Sequence, residues 1–346
     1  MARRPASAGE RPFLRRGGTQ ATGFEDRRSS CLIVAARDIL AAMGTITRRA
    51  AMSLLAQTAR PQAVSVTILS TMLSGTFTGE WGFAAMVEID GKRILFDTGN
   101  RPETVLNNLR EMKMDLAGVP SVILTHHHRD HTGGLVTLRR DAMARDPQAI
   151  ATAYGGKGIL LPRMPANDFV LIKGEYEAAG GKLREIAKPA EIAPHVWLTG
   201  PVPRIHGERN WSGNTLLRAD DRSAEDTLPE DQALVIDTNQ GLIVVSGCGH
   251  AGIVNTLTYA RKVVRATNIY AVIGGFHLFD ANDQKLEWTA RQLAPMGIVY
   301  FLAAHCTGVE STLRLRELMR LPPERMTIAQ VGRVFEAGKG IRGARS

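Results

Sequence analysis

Apolar and polar positions change their rhythm near Val64. From there the chain runs in short β-rich segments separated by turns. Residues 64–69, 84–89 and 92–96 read as strands, and Asp90-Gly91 joins the last two as a hairpin turn. Residues 102–114 carry Val105, Leu106, Leu109 and Met112 on one face behind an early proline, the pattern of an amphipathic helix. A short apolar strand, 121–124, then runs directly into histidines, and the same event recurs three times. Residues 241–245 lead into Ser246-Gly247-Cys248-Gly249-His250 and a helix from about Gly252. Residues 270–273 lead into Gly274-Gly275-Phe276-His277, and 299–303 into Ala304-His305-Cys306. Ligands of α/β proteins collect at the carboxyl ends of strands, where a rigid backbone lets loops aim side chains. Residues 141–194 are less regular and read as an insertion with a short helix near 176–185.

Composition narrows the picture. The chain has 346 residues, 44% hydrophobic and 22% charged, enough to bury a sizeable core. No apolar run approaches the roughly 20 residues of a membrane span. Three cysteines cannot form a disulfide framework, and Cys248 and Cys306 sit beside histidines, which favours metal or thiol chemistry. The net charge of +9 is uneven: residues 1–60 hold eleven arginines against four acids, a net +7 that leaves +2 for the remaining 286 residues. A near-neutral body argues against a nucleic-acid partner and for a small-molecule substrate. Residues 1–60 read as an Arg-rich leader ahead of a domain spanning 61–346. Within the leader, Thr47-Arg48-Arg49 and the apolar residues 50–56 resemble a twin-arginine export signal, with alanines where bulkier residues are usual. A cytoplasmic location is expected, periplasmic export being the alternative.

The densest chemistry is Thr125-His126-His127-His128-Arg129-Asp130-His131-Thr132-Gly133-Gly134. On an extended segment His126 and His128 point the same way, while the turn that follows swings Asp130 and His131 toward a second position. Imidazole and carboxylate suit zinc, manganese or iron. One loop thus offers ligands to one or two divalent ions, zinc first, with manganese, iron or magnesium as alternatives.

His126-x-His128-x-Asp130-His131 followed by Thr132-Gly133-Gly134 resembles the signature of the metallo-β-lactamase superfamily, and Leu95-Phe96-Asp97-Thr98-Gly99 resembles its upstream aspartate motif. Ser246-Gly247-Cys248-Gly249-His250, Gly274-Gly275-Phe276-His277-Leu278 and His305-Cys306-Thr307-Gly308 resemble the subfamily of 7,8-dihydropterin-6-methyl-4-(β-D-ribofuranosyl)aminobenzene-5′-phosphate synthases. The resemblance implies an α/β fold, a four-layer αββα sandwich with its metal site on one edge. It implies Asp97 as an acceptor orienting a ligand histidine or the loop backbone, His305 as the residue completing the second metal position, and His250 as the missing third histidine of the first. Cys248 is either a direct ligand or a small buried thiol, and Cys306 is packing. His277 is read as a substrate-contacting or proton-donating residue, and Arg204 as a clamp for an anionic group. His195 and His206 lack suitable surroundings. The activity implied is metal-dependent hydrolysis or group transfer on a small phosphorylated or pterin-like molecule, through metal-bound hydroxide oriented by Asp130 or a metal-stabilised leaving group. A nuclease of the same fold is the alternative.

Overall fold

The computed structural model describes residues 59–208, 216–219 and 222–343. Residues 1–58 of the leader, with its twin-arginine segment, lie outside them. The chain enters through a meander, β1 (Val64–Ser70), β2 (Ala84–Ile89) and β3 (Lys92–Phe96), then passes through α1 (Thr104–Glu111), β4 (Ser121–Leu124), α2 (Arg129–Thr132), α3 (Leu135–Met143) and β5 (Thr152–Gly156). Next come β6 (Arg163–Met164), α4 (Phe169–Ala178), β7 (Lys182–Ile186), β8 (Ala190–Ala193), β9 (Val196–Leu198), β10 (Leu216–Ala219) and β11 (Arg222–Glu225). The second half runs β12 (Ala233–Thr238), β13 (Gly241–Ser246), α5 (Ile253–Val263), β14 (Ile269–Gly274), α6 (Asp283–Leu293), β15 (Tyr300–Ala303), α7 (Val309–Met319) and β16 (Met326–Ile328). It closes with β17 (Val334–Glu336) and β18 (Gly340–Arg342).

Eight strands form one large sheet, in the order β18-β17-β1-β2-β3-β4-β5-β7, seven form the other, β16-β15-β14-β13-β12-β9-β8, and β11-β10-β6 make a small third sheet. Alternation along the strands decides the layering. Val66, Ile68, Phe96 and Ile123 face Leu234, Ile236, Ile243, Val245, Ile273 and Leu302 across the space between the sheets. Their neighbours point outward. Met86, Leu95 and Val122 pack on Val105 and Leu109 of α1, Leu138 of α3 and Phe169 and Tyr176 of α4. On the opposite side Val235, Val244, Val272 and Phe301 pack on Leu257 of α5, Leu286 and Leu293 of α6 and Leu315 of α7. The strands of the second sheet's centre are therefore buried on both faces, which is why β13 and β14 are apolar almost throughout and β12 is apolar up to Asp237. The result is the αββα sandwich expected from the motifs. Among the described residues no helix is long and apolar enough to cross a membrane.

Residues 141–194 differ from the expectation. They supply strands to the sheets instead of interrupting them: β5 pairs in parallel with β4 and β7 with β5 in the first, β8 edges the second beside β9, and β6 pairs with β10 in the small sheet. The helix comes earlier, Phe169–Ala178, and ends ahead of Gly180-Gly181; residues 182–186 are strand, not helix. Strand β7 lies at the sheet edge and leaves most of its side chains partly or wholly in solvent. Its charged sequence Lys182-Leu183-Arg184-Glu185 carries no buried alternation, so it imitates a helix face.

Candidate metal centre

The parallel portions of both sheets end on the same edge, and this edge carries the histidines. Strand β4 of the first sheet delivers His126, His127, His128, Asp130 and His131; β13, β14 and β15 of the second deliver Cys248 and His250, His277, and His305. Among the described residues three donor groups form there, two of which share no side chain. His126, His128 and His250 each offer a ring nitrogen within 4.8 Å of the others, and Asp130, His131, Cys248 and His305 offer atoms within the same limit. The rings of His126 and His250 are 4.7 Å apart and those of His128 and His250 5.0 Å. In the second group Cys248 Sγ is 3.0 Å from His131 Nε2, and Asp130 Oδ2 accepts from His305 Nε2 at 3.0 Å. Both residues weighed in the 246–250 loop are thus in place, one in each group.

Neighbouring side chains aim these donors. Asp97 has φ +52 and receives Thr125 N at 2.8 Å, Thr125 Oγ1 at 2.9 Å and His131 Nδ1 at 2.7 Å. The last bond fixes the His131 ring with Nε2 directed inward. Thr125 Oγ1 likewise lies 3.0 Å from His126 Nδ1. The Thr132-Gly133-Gly134 segment has a steric reason. A Cβ on Gly133 would stand 1.8 Å from the Asn100 carbonyl oxygen, so only glycine lets the 97–100 turn press against the ligand loop. Thr98 N donating to His131 O at 2.8 Å and Gly133 N to Gly99 O at 2.9 Å hold the two segments together.

Burial sets the charges. It pushes His126 and His250 well below the ordinary histidine range, with neighbouring imidazoles acting in the same direction, and takes His128 down to about 3. These rings stay neutral with lone pairs available. Burial would also lower His131, yet Asp97 and Asp130 bring it up to about 9. Burial opposes ionisation of Asp130, but His131 and His305 hold it well below the carboxylate norm. Burial raises the Cys248 thiol. Within this pocket His126 Nε2, both ring nitrogens of His250 and His305 Nδ1 are buried with no hydrogen-bond partner. Orphaned nitrogens of that kind, in a cluster that also holds a thiol and a carboxylate, are what a divalent ion would satisfy. The donor set fits the metal.

Other residues sit differently. Arg204 donates through Nη1 to the His250 carbonyl at 2.6 Å and through Nη2 to the Thr227 carbonyl, so it ties the loop that carries His250 to the segment at Thr227. His127 turns away from the metal groups: its Nδ1 pairs with Glu230 at 2.8 Å, Glu230 with Arg163 at 2.7 Å and Arg163 with Asp226 at 2.6 Å. Cys306 Sγ accepts from His277 N at 3.2 Å and stays outside both groups. His195 and His206 join no donor group either.

The sequence reading missed the buried Glu230-Arg163-Asp226 chain, whose only trace is acids standing just before an apolar strand. It also missed Trp81 and Phe279, each 45% exposed. Their rings are 5.7 Å apart, with Trp81 4.9 Å from His305 and Phe279 5.4 Å from His277, so two aromatic edges stand over the donor groups. An aromatic beside Gly82 and another beside the His277 motif were the available signals.

Residues 82–146 match the metallo-beta-lactamase superfamily. Among curated proteins the chain is 27% identical to the 7,8-dihydropterin-6-methyl-4-(beta-D-ribofuranosyl)-aminobenzene-5'-phosphate synthase of Methanocaldococcus jannaschii, over 74% of this chain and 90% of that protein. It is 28% identical to an uncharacterized protein of the same organism, over 70% and 90%. Among solved structures it resembles Tm1679, a metal-dependent hydrolase of the beta-lactamase superfamily, with TM-score 0.61 and 25% identity over 77% of this chain and 95% of that one.

Proposed function

We propose that this chain, which has the metallo-β-lactamase fold and carries a domain of that superfamily, is a metal-dependent enzyme acting on a small phosphorylated or pterin-like molecule by hydrolysis or group transfer. The observation that carries the reading is the pair of adjoining donor groups, His126/His128/His250 and Asp130/His131/Cys248/His305, assembled from both sheets. Imidazole, thiolate and carboxylate together favour zinc. Bound there, divalent ions supply Lewis acidity, polarising a phosphoryl or carbonyl oxygen and offsetting the negative charge that develops on it.

The side chains divide the remaining work. Asp97 and Thr125 keep the rings of His131 and His126 turned inward. Asp130 stands at the partly open side of the second group, where its carboxylate orients the attacking or departing oxygen. Trp81 and Phe279 offer ring edges at the mouth, suited to a flat heterocycle. The pterin-like substrate class is supported by the named Methanocaldococcus jannaschii relative, and the hydrolytic option by the superfamily of Tm1679. The near-neutral charge after residue 60 gives the nuclease alternative no comparable support.

The test is turnover by zinc-loaded protein offered, separately, a dihydropterin methyl pyrophosphate with an arylamine acceptor, a generic phosphodiester and a lactone. Coupling of the pterin to the acceptor establishes transfer, and water-dependent cleavage establishes hydrolysis. Full metal occupancy with no turnover of any of them refutes the proposal.

A further inference from the structure

Beside the centre, two loops are pressed together backbone to backbone. Gly275 N donates to Gly247 O at 2.9 Å, and a Cβ on Gly275 would stand 2.3 Å from that oxygen and 2.8 Å from Cys306 Sγ. Only glycine permits this approach, and it carries the next-but-one residue inward. His277 takes φ +48, unusual for a non-glycine, and its backbone N–H is tied to Cys306 Sγ. Its ring is buried, 5% exposed, with its centroid 4.6 Å from that of His250. Donor atoms of Cys248, His250 and His277 then all lie within 4.8 Å of one another.

His250 is placed between two sets. A ligand histidine is ordinarily held by a hydrogen bond from its second nitrogen, as Asp97 holds His131 and Thr125 holds His126. Neither ring nitrogen of His250 has such a partner. Among the described residues no hydrogen bond holds its ring toward His126 and His128 in preference to Cys248 and His277. The His277 set shares His250 with the first donor group and Cys248 with the second, so it lies between the two.

We propose that His277 is a metal ligand, forming with Cys248 and His250 a third donor set for a thiophilic divalent ion such as zinc or cadmium. This goes beyond the reading of His277 as a residue that touches substrate, and it rests on the centre binding metal at all. The thiol loses its proton to solvent as the sulfur takes the ion.

The experiment uses the full chain loaded with 113Cd, in which scalar couplings across metal–ligand bonds identify ligands directly. The expected spectrum connects one cadmium resonance to both the Cys248 β-protons and the His277 ring protons. His277→Asn, which tolerates the left-handed backbone, is expected to lose that connection and to release its cadmium to a chelator at least about tenfold more readily. Bound cadmium coupled to His126, His128 and His250 but never to His277 overturns the inference and leaves the metal centre standing, even where His277→Asn lowers turnover. A wild-type chain that takes up no cadmium or zinc removes the metal centre and the inference with it.

Discussion

Asp97 receives three hydrogen bonds from two elements, so its replacement separates aiming from ligation. Asp97→Asn keeps the shape but not the charge that favours the Nδ1 proton of His131. Metal affinity, measured by chelator competition, is expected to fall about 10- to 100-fold with the fold intact. Direct donors behave differently: His126→Ala and His305→Ala each lose metal in elemental analysis, and Cys248→Ser loses less than His250→Ala. The reverse order for the last pair would assign the loop's principal ligand to the sulfur. Trp81→Ala should raise KM for a pterin substrate with little change in kcat, since the ring stands over the centre without entering a donor group. Equal loss in both parameters would deny it a binding role. The Glu230–Arg163 pair is wholly buried, and Glu230→Ala leaves the guanidinium with one partner fewer. A loss of about 3–5 kcal/mol in chemical denaturation is expected for breaking such a pair.

At the scale of elements, α5 begins under an acid from a distant segment: Glu208 accepts from Val254 N at 3.2 Å and Asn255 N at 2.8 Å. Burial raises its carboxyl to about 6 from 4.5, despite those two bonds. The folded chain therefore holds this proton more tightly than the unfolded one. Stability from this group is fully present below pH 4.5 and is lost as pH rises through about 6, by about 2 kcal/mol at most. Glu208→Gln should remove that slope between denaturation curves taken at pH 4.5 and 7. An unchanged slope would place its origin elsewhere. Elements of this kind were illegible beforehand because Glu208 follows no helical pattern and its partners are 46 and 47 residues away. The strands that feed the centre were legible to within a residue or two, since apolar runs ending in histidine carry both their period and their purpose. Helix α1 proved shorter than its apolar face suggested, and β7 was taken for helix because an edge strand leaves no buried alternation to read. The grouping of His250 with His126 and of Cys248 with His131 depended on how two sheets stack, which spacing alone does not specify.

On the scale of the whole sandwich, the space between the sheets is closed by side chains from both, with Phe96 fully buried among them. Phe96→Ala is expected to cost about 3–5 kcal/mol and to shift the unfolding of both sheets together. Separate transitions for the two would contradict a shared core. The proposed metal centre would join the same two layers a second time, because His126 and His128 follow a strand of the first sheet while His250 and His305 follow strands of the other. An ion gripped from both leaves acts as a rivet. Any slip of one leaf along its partner, even by a fraction of an ångström, stretches bonds that tolerate little stretching. With an ion held there, mutational drift deep in the hydrocarbon seam would be felt at the reacting edge without touching a ligand.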